Sequence, residues 1–239
     1  FLLINSLLWL YFVKNETICN ESFDGPSPKS LPPYSRIVIK DRVKRSRDAR
    51  LAIAIPTFYK QLEHTHMTVS QWEQFQATKQ KDSIRFVDCI VFFLKTEHAL
   101  SHANRTTTRN IQSVLVRLFS SAQWVDMTVS FKYQFLYPTS TYVQFINIVQ
   151  ILHVAKYEFF LLSEPDLFVL RSFWVDALLS ITQTEEIWWI RGSPWYNYGG
   201  SWAMRKRLNG NAVYKVGDSR LVSFVMDSLD APFLFWGRP

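Results

Sequence analysis

Two carboxylates one residue apart, Glu164 and Asp166, follow directly on a nearly all-apolar run, Tyr157 to Leu162 (YEFFLL), with Pro165 between them. Such a pair can offer oxygen to a hard divalent cation, Mn²⁺ or Mg²⁺, which takes one or two protein carboxylates and completes its shell with water and phosphate oxygens. Pro165 limits the backbone freedom between the two acids. A cation held there would offset the negative charge that grows on a departing diphosphate, so the pattern suits transfer of a group from a nucleotide diphosphate. The plain alternative is a strand-ending turn with solvated acids, because Pro and Asp are both common in turns.

Further along, Leu208-Asn209-Gly210-Asn211-Ala212-Val213-Tyr214 sets a glycine between two carboxamides. Gly210 permits a close backbone approach, and the Asn209 and Asn211 amides can donate to and accept from sugar hydroxyls. Asn-Gly is also a common turn signal, so a simple loop is the competing expectation. Arg191, in Arg191-Gly192-Ser193-Pro194-Trp195, could present a guanidinium and an aromatic wall to a sugar, or could belong to a connector.

These residues need a scaffold, and the run pattern supplies one. Leu51 to Ile55 (LAIAI) reads as a buried strand ended by Pro56, and Ser70-Gln71-Trp72-Glu73 as a capping box opening a helix. Arg85 to Leu94 reads as a second strand, Asn110 to Phe119 as a helix, and a strand is expected near Met127 to Phe131. A helix from about Thr139 to Ala155 then leads to YEFFLL, and a further helix contains Trp174, Leu178 and Leu179. Alternation of this kind predicts an α/β fold, a mostly parallel, Rossmann-like sheet with helices on both faces. Ligands bind beyond the carboxyl ends of such strands, which is where the acid pair falls.

An EPD after an apolar strand, a Trp shortly after it (Trp174), and NGNAVY some distance on together resemble the nucleotide-diphospho-sugar transferases of the GT-A fold, especially divergent eukaryotic Golgi-type members. The resemblance covers about Leu51 to Val225. It implies a glycosyltransferase, with Glu164 and Asp166 at the metal-and-diphosphate motif and Asn209, Gly210 and Asn211 on a loop facing donor sugar or acceptor. It further implies that the segment after the first strand, with Pro56, Thr57 and Phe58, lines the nucleotide pocket. The family commonly has aspartate at the first motif position; Glu164 stands there in this chain, which favours Asp166 as the ligand. The implied partners are a nucleotide-sugar donor and a glycan or glycoprotein acceptor.

With 239 residues, 48% of them hydrophobic and only 7 glycines, the chain can fill one substantial core. Its formal charge of +7 is concentrated: Lys40, Arg42, Lys44, Arg45, Arg47 and Arg50 crowd ahead of the first strand. That run reads as a solvated linker, and no nucleic-acid partner is expected, since the aromatics lie in apolar runs apart from Lys and Arg. Residues 1–13 (FLLINSLLWLYFV) read as part of a signal-anchor, 14–50 as a stem, and 51–239 as the catalytic-size domain, whose C-terminal end reads as cut short. Sequons at Asn15 and Asn20 fit a lumenal stem, and a third lies at Asn104. The expected setting is a type II protein of the Golgi or endoplasmic reticulum membrane. Cys89 reads as a small buried hydrophobe, and the five histidines show no metal spacing. The rival from another class is a membrane-anchored lectin-like or scaffold protein that kept the fold without turnover.

Overall fold

The computed structural model describes residues 38–39, 43–75, 81–95, 102–119, 121–128, 139–184, 187–195 and 207–227. In chain order the strands are β1 (Val38–Ile39), β2 (Leu51–Phe58), β3 (Val87–Lys95), β4 (Ala122–Thr128), β5 (Phe159–Leu162), β6 (Ile190–Trp195) and β7 (Arg207–Tyr214). The helices are α1 (Leu62–Gln74), α2 (His102–Leu118), α3 (Thr139–Val154), α4 (Trp174–Thr182) and α5 (Ser219–Asp227).

One seven-stranded sheet has the order β1-β4-β3-β2-β5-β7-β6. β4, β3, β2 and β5 are parallel, while β1 joins β4, and β7 joins both β5 and β6, antiparallel. The α/β, mostly parallel expectation therefore holds. Parallel strands buried on both faces carry apolar residues at every position rather than at alternate ones. In β2, Leu51, Ile53 and Ile55 pack beneath α1, α2 and α4 with Cys89, Val91 and Phe93 of β3. On the reverse face, Ala52 and Ala54 meet Ile90 and Phe92, covered by Val143, Ile146, Val149 and Leu152 of α3 and by Leu221 and Val225 of α5. Cys89 is fully buried, as expected, and burial pushes its thiol far up.

The chain first winds outward from β2 through β3 to β4, then returns by α3 on the opposite face to place β5 on the other side of β2. Strand order thus reverses between β2 and β5, and at such a reversal the connections leave to opposite faces and open a crevice at the carboxyl edge.

Several boundaries differ from the sequence expectation, each for a physical reason. The helix expected to open at Ser70 begins at Leu62, and His64 and His66 lie within it. Its buried face runs Leu62, Thr65, Thr68, Val69, Trp72. Two of those five are threonines whose hydroxyls bond Thr57 and the Pro165 carbonyl, so the apolar period is broken by tertiary hydrogen bonds. Pro56 does not end β2. The pairing with β5 stops at Ala54 opposite Leu162, so Pro56 has a ladder on one side only, the edge setting in which proline is accommodated. β4 runs 122–128 rather than 127–131, and 129–131 lie outside the described residues.

Packing also begins ahead of Leu51: Val43 and Ala49 are buried, and Arg50 is paired with Glu158, 2.5 Å apart. Beneath the sheet's amino edge the buried Asp88 carboxylate accepts from the Ser46 N–H (2.8 Å), the Ser46 hydroxyl (2.6 Å) and the Tyr157 hydroxyl (2.5 Å). Part of the expected linker is therefore tied to the domain. Residues 1–13, with Asn15, Asn20 and Cys19, lie outside the described residues; Asn104 is in the first turn of α2. No helix among the described residues is long and apolar enough to cross a membrane.

Candidate functional site at the carboxyl edge of the sheet

β5 ends at Leu162, and the chain turns at once. The Leu167 N–H donates to the Glu164 carbonyl (3.0 Å), closing a turn with Pro165 and Asp166 at its two central positions. Ser163 is still in the ladder, donating its N–H to the Ala54 carbonyl. Glu164 is half-buried and Asp166 exposed, so the two acids leave the strand end into different surroundings.

The antiparallel partner reaches the same point. β5 and β7 pair Leu161 with Val213, a register that carries Asn211 beside the residues following β5. Its carboxamide meets Glu164 twice: Oδ1 accepts the Glu164 N–H at 2.7 Å, and Nδ2 donates to Glu164 Oε2 at 3.2 Å. The two motifs singled out in the sequence are thus in direct contact. Asn209, Gly210 and Asn211 lie within the span of β7 rather than on a loop between elements, at the irregularity where the register with β6 shifts between Gly192, opposite Ala212, and Pro194, opposite Leu208. The Asn-Gly signal thus coincides with a bulge in the β6–β7 ladder, a place where such residues ease a local departure from regular pairing.

Burial holds the Glu164 carboxyl above the usual carboxylate range, the nearby Asp166 charge adds to this, and the Asn211 hydrogen bond opposes it. The folded-state value is raised, so this group stabilises the fold fully below its unfolded value and loses that contribution as pH rises through the folded one. Glu164→Gln keeps an acceptor for Asn211 and removes the charge. The expected result is a melting temperature a few degrees above wild type at pH 7, a gap that closes as pH falls below about 4. A scan showing no gap at pH 7, or one that widens in acid, would contradict this electrostatic account.

The other sequence-selected residues divide. Pro56 and Phe58 are half-buried at the end of β2, the strand next to β5 in the sheet, and Phe58 packs against the α3 side of the core. Thr57 is fully buried, and its hydroxyl is shared with Thr65 of α1 at 2.8 Å, so it fixes the helix rather than facing a ligand. Arg191 is likewise turned inward. Its guanidinium donates to Thr184 Oγ1 (2.6 Å) and the Ile181 carbonyl (3.3 Å) and lies over the Trp188 ring, closing the end of α4. The expectation that Arg191 presents itself to a sugar is corrected by that burial.

Sequence reasoning missed the side chains of α1 that hold the acid-bearing segment from behind. Thr68 Oγ1 donates to the Pro165 carbonyl, and Trp72 Nε1 to the Leu167 carbonyl at 3.4 Å. Gln71 makes both bonds a strand neighbour would make to Val169: Nε2 donates to its carbonyl, and Oε1 accepts its N–H at 3.0 Å. Nothing in the local sequence marks a glutamine for this task.

Two carboxylates one residue apart fit a hard divalent cation that draws its remaining oxygens from water and phosphate. Glu164 and Asp166 belong to one turn closed by the Leu167-to-Glu164 backbone bond, and they are the donor set this turn would offer such an ion. No group of three or more His, Cys, Asp and Glu suited to a metal occurs among the described residues.

No family model matches the chain, and no curated protein matches it. Among solved structures it is similar to the mannosyltransferase Ktr4p from S. cerevisiae at 12% identity, with a TM-score of 0.31, over 59% of this chain and 40% of that one. The same yeast protein in complex with GDP gives 12% identity and a TM-score of 0.32, over 71% of this chain and 46% of that one. The match thus spans less than half the length of either yeast chain.

Proposed function

We propose that this chain is the donor-binding domain of a glycosyltransferase, which moves a sugar from a nucleotide-diphosphate sugar to a glycan or glycoprotein acceptor. The observation that carries the reading is the two-way hydrogen bond between Glu164 and Asn211, at the carboxyl edge beside the β2–β5 reversal. A strand-ending turn with merely solvated acids has no need of a carboxamide from an antiparallel neighbour.

In this reading the exposed Asp166 is the chief ligand for Mn²⁺ or Mg²⁺, with Glu164 assisting. The ion, when bound, supplies positive charge against the departing diphosphate. The Asn211 amide keeps the Glu164 carboxylate pointed and occupied on one oxygen, and its contact with the turn fixes the backbone from which both acids project. The half-buried Pro56 and Phe58, on the neighbouring strand end, are proposed to wall the nucleotide. Membrane attachment through residues 1–13, with the domain on the lumenal side of the Golgi or endoplasmic reticulum, belongs to the same proposal.

The test is a thermal-shift panel of nucleotide sugars with and without Mn²⁺. A ligand at one hundred times its dissociation constant stabilises the native state by about 2.7 kcal/mol, which for a chain of this size is roughly 5–10 °C. One donor class is expected to give that shift only with Mn²⁺. A panel that stays flat under all conditions refutes donor binding, and a shift without turnover on any acceptor supports the lectin-like alternative.

A further inference from the structure

The acid turn is bracketed by two carboxamides from different elements. Asn211 of β7 takes the Glu164 N–H before the turn, and Gln71 of α1 takes the Val169 N–H after it. Between them Thr68 and Trp72, on the same face of α1 as Gln71, bond the carbonyls of Pro165 and Leu167. Spacings of three and four put residues 68, 71 and 72 side by side on a helix. The segment they hold has no regular secondary structure of its own from Ser163 to Phe173, yet its carbonyls at 165, 167 and 169 are satisfied in alternation, as in a strand.

The side chains supplying these bonds are themselves fixed. Thr68 is buried, and Trp72 is 1% exposed and packed on Trp174 with ring centroids 5.0 Å apart. Thr65, one turn earlier, ties α1 to the end of β2 through Thr57. The helix thus joins the end of β2 to the loop after β5, the two strand ends that flank the order reversal.

We infer that Gln71 and Thr68 are positioning residues: by holding the Pro165–Val169 backbone from α1, they set the place of Asp166 before any cation arrives. The inference rests on the metal-binding reading above. Its energetic basis is preorganisation. A loose turn would lose conformational freedom on binding a cation, and one already held by four hydrogen bonds has lost it during folding. Removing the Gln71 amide frees the Val169 N–H and carbonyl together, while removing the Thr68 hydroxyl leaves the Pro165 carbonyl buried without its donor.

The experiment pairs two measurements on the full chain. Amide hydrogen exchange at Leu167, whose N–H closes the acid turn, reports whether the turn is held; free Mn²⁺ counted by electron paramagnetic resonance gives affinity for the metal alone. Gln71→Leu and Thr68→Val are each expected to lose protection at Leu167 and to weaken Mn²⁺ binding about tenfold, with a cooperative melt retained. Thr68→Ser, which keeps the hydroxyl, is expected to restore both. If both variants keep protection at Leu167, or lose it while binding Mn²⁺ as wild type does, the positioning role is overturned. A wild-type protein that binds no Mn²⁺, with Asp166→Asn indistinguishable from it, instead brings down the metal reading and this inference with it.

Discussion

Asp166→Asn is expected to abolish the Mn²⁺-dependent part of nucleotide-sugar stabilisation, a loss of roughly 5–10 °C at saturating ligand, while leaving the apo protein as stable as wild type or more so. The substitution keeps the side chain's size and polarity and removes the charge that would hold the cation. Asp166 is exposed at a turn corner closed by the Leu167-to-Glu164 backbone bond, so the fold does not depend on its carboxylate. Its charge also helps to raise the half-buried Glu164 carboxyl, and removing that neighbour relieves a repulsion. The effect should exceed that of Glu164→Gln, whose replacement amide can still accept from Asn211. Outright unfolding of the Asp166 variant, alongside a wild type with no metal response, would make Asp166 a structural turn residue.

The second large effect is expected far from the site. Asp88 is fully buried at the amino end of β3 and accepts three hydrogen bonds, from the Ser46 backbone and hydroxyl and from Tyr157. Burial, and then the bond to Asp88, push the Tyr157 hydroxyl well above its ordinary range, so it stays a neutral donor at all working pH values. Asp88→Ala strands these donors, and the expected loss is about 3–5 kcal/mol, measured by urea denaturation. Tyr157→Phe should cost less, about 1–2 kcal/mol. The double variant should cost less than the two losses combined, because Tyr157 can be separated from its acceptor only once. A loss below about 1 kcal/mol for Asp88→Ala would mean that water replaces the carboxylate, and that the segment before β2 is not anchored through it.

The sequence made some of this legible and hid the rest for identifiable reasons. LAIAI and VDCIVFFLK are apolar on both faces, so their burial in a parallel sheet could be read directly. YEFFLL with the acids after it located the strand end and the turn. The start of α1 was hidden because Thr65 and Thr68 count as polar in any periodicity, although both lie in the interface. Asn209 to Asn211 carried a turn signal that the structure expresses as a bulge inside β7, because the flanking residues Ala212 and Leu208 both pair with β6, a partner whose position no local pattern reveals. Arg191 illustrates the same limit from the other side: a lone arginine near aromatics is compatible with a ligand contact, and only the placement of Thr184 and Trp188 shows it capping α4.

The central position of β2 also constrains how the chain reaches this structure. Leu51 pairs with Val87 on one side and with Phe159 on the other, and the adjacent Arg50–Glu158 contact spans 108 residues. At a synthesis rate of about 5–20 residues per second, β5 leaves the ribosome roughly 5–20 s after β2. Through that interval β2 and β3 can pair, but the Leu51–Ala54 flank of β2 stays open, apolar on both faces and without its neighbour. Closure of so long a loop is slow relative to local helix formation. Newly made chains therefore pass through a period in which a strand destined for burial on both faces is exposed to association, and the yield of native protein depends on what shields it until Phe159 arrives.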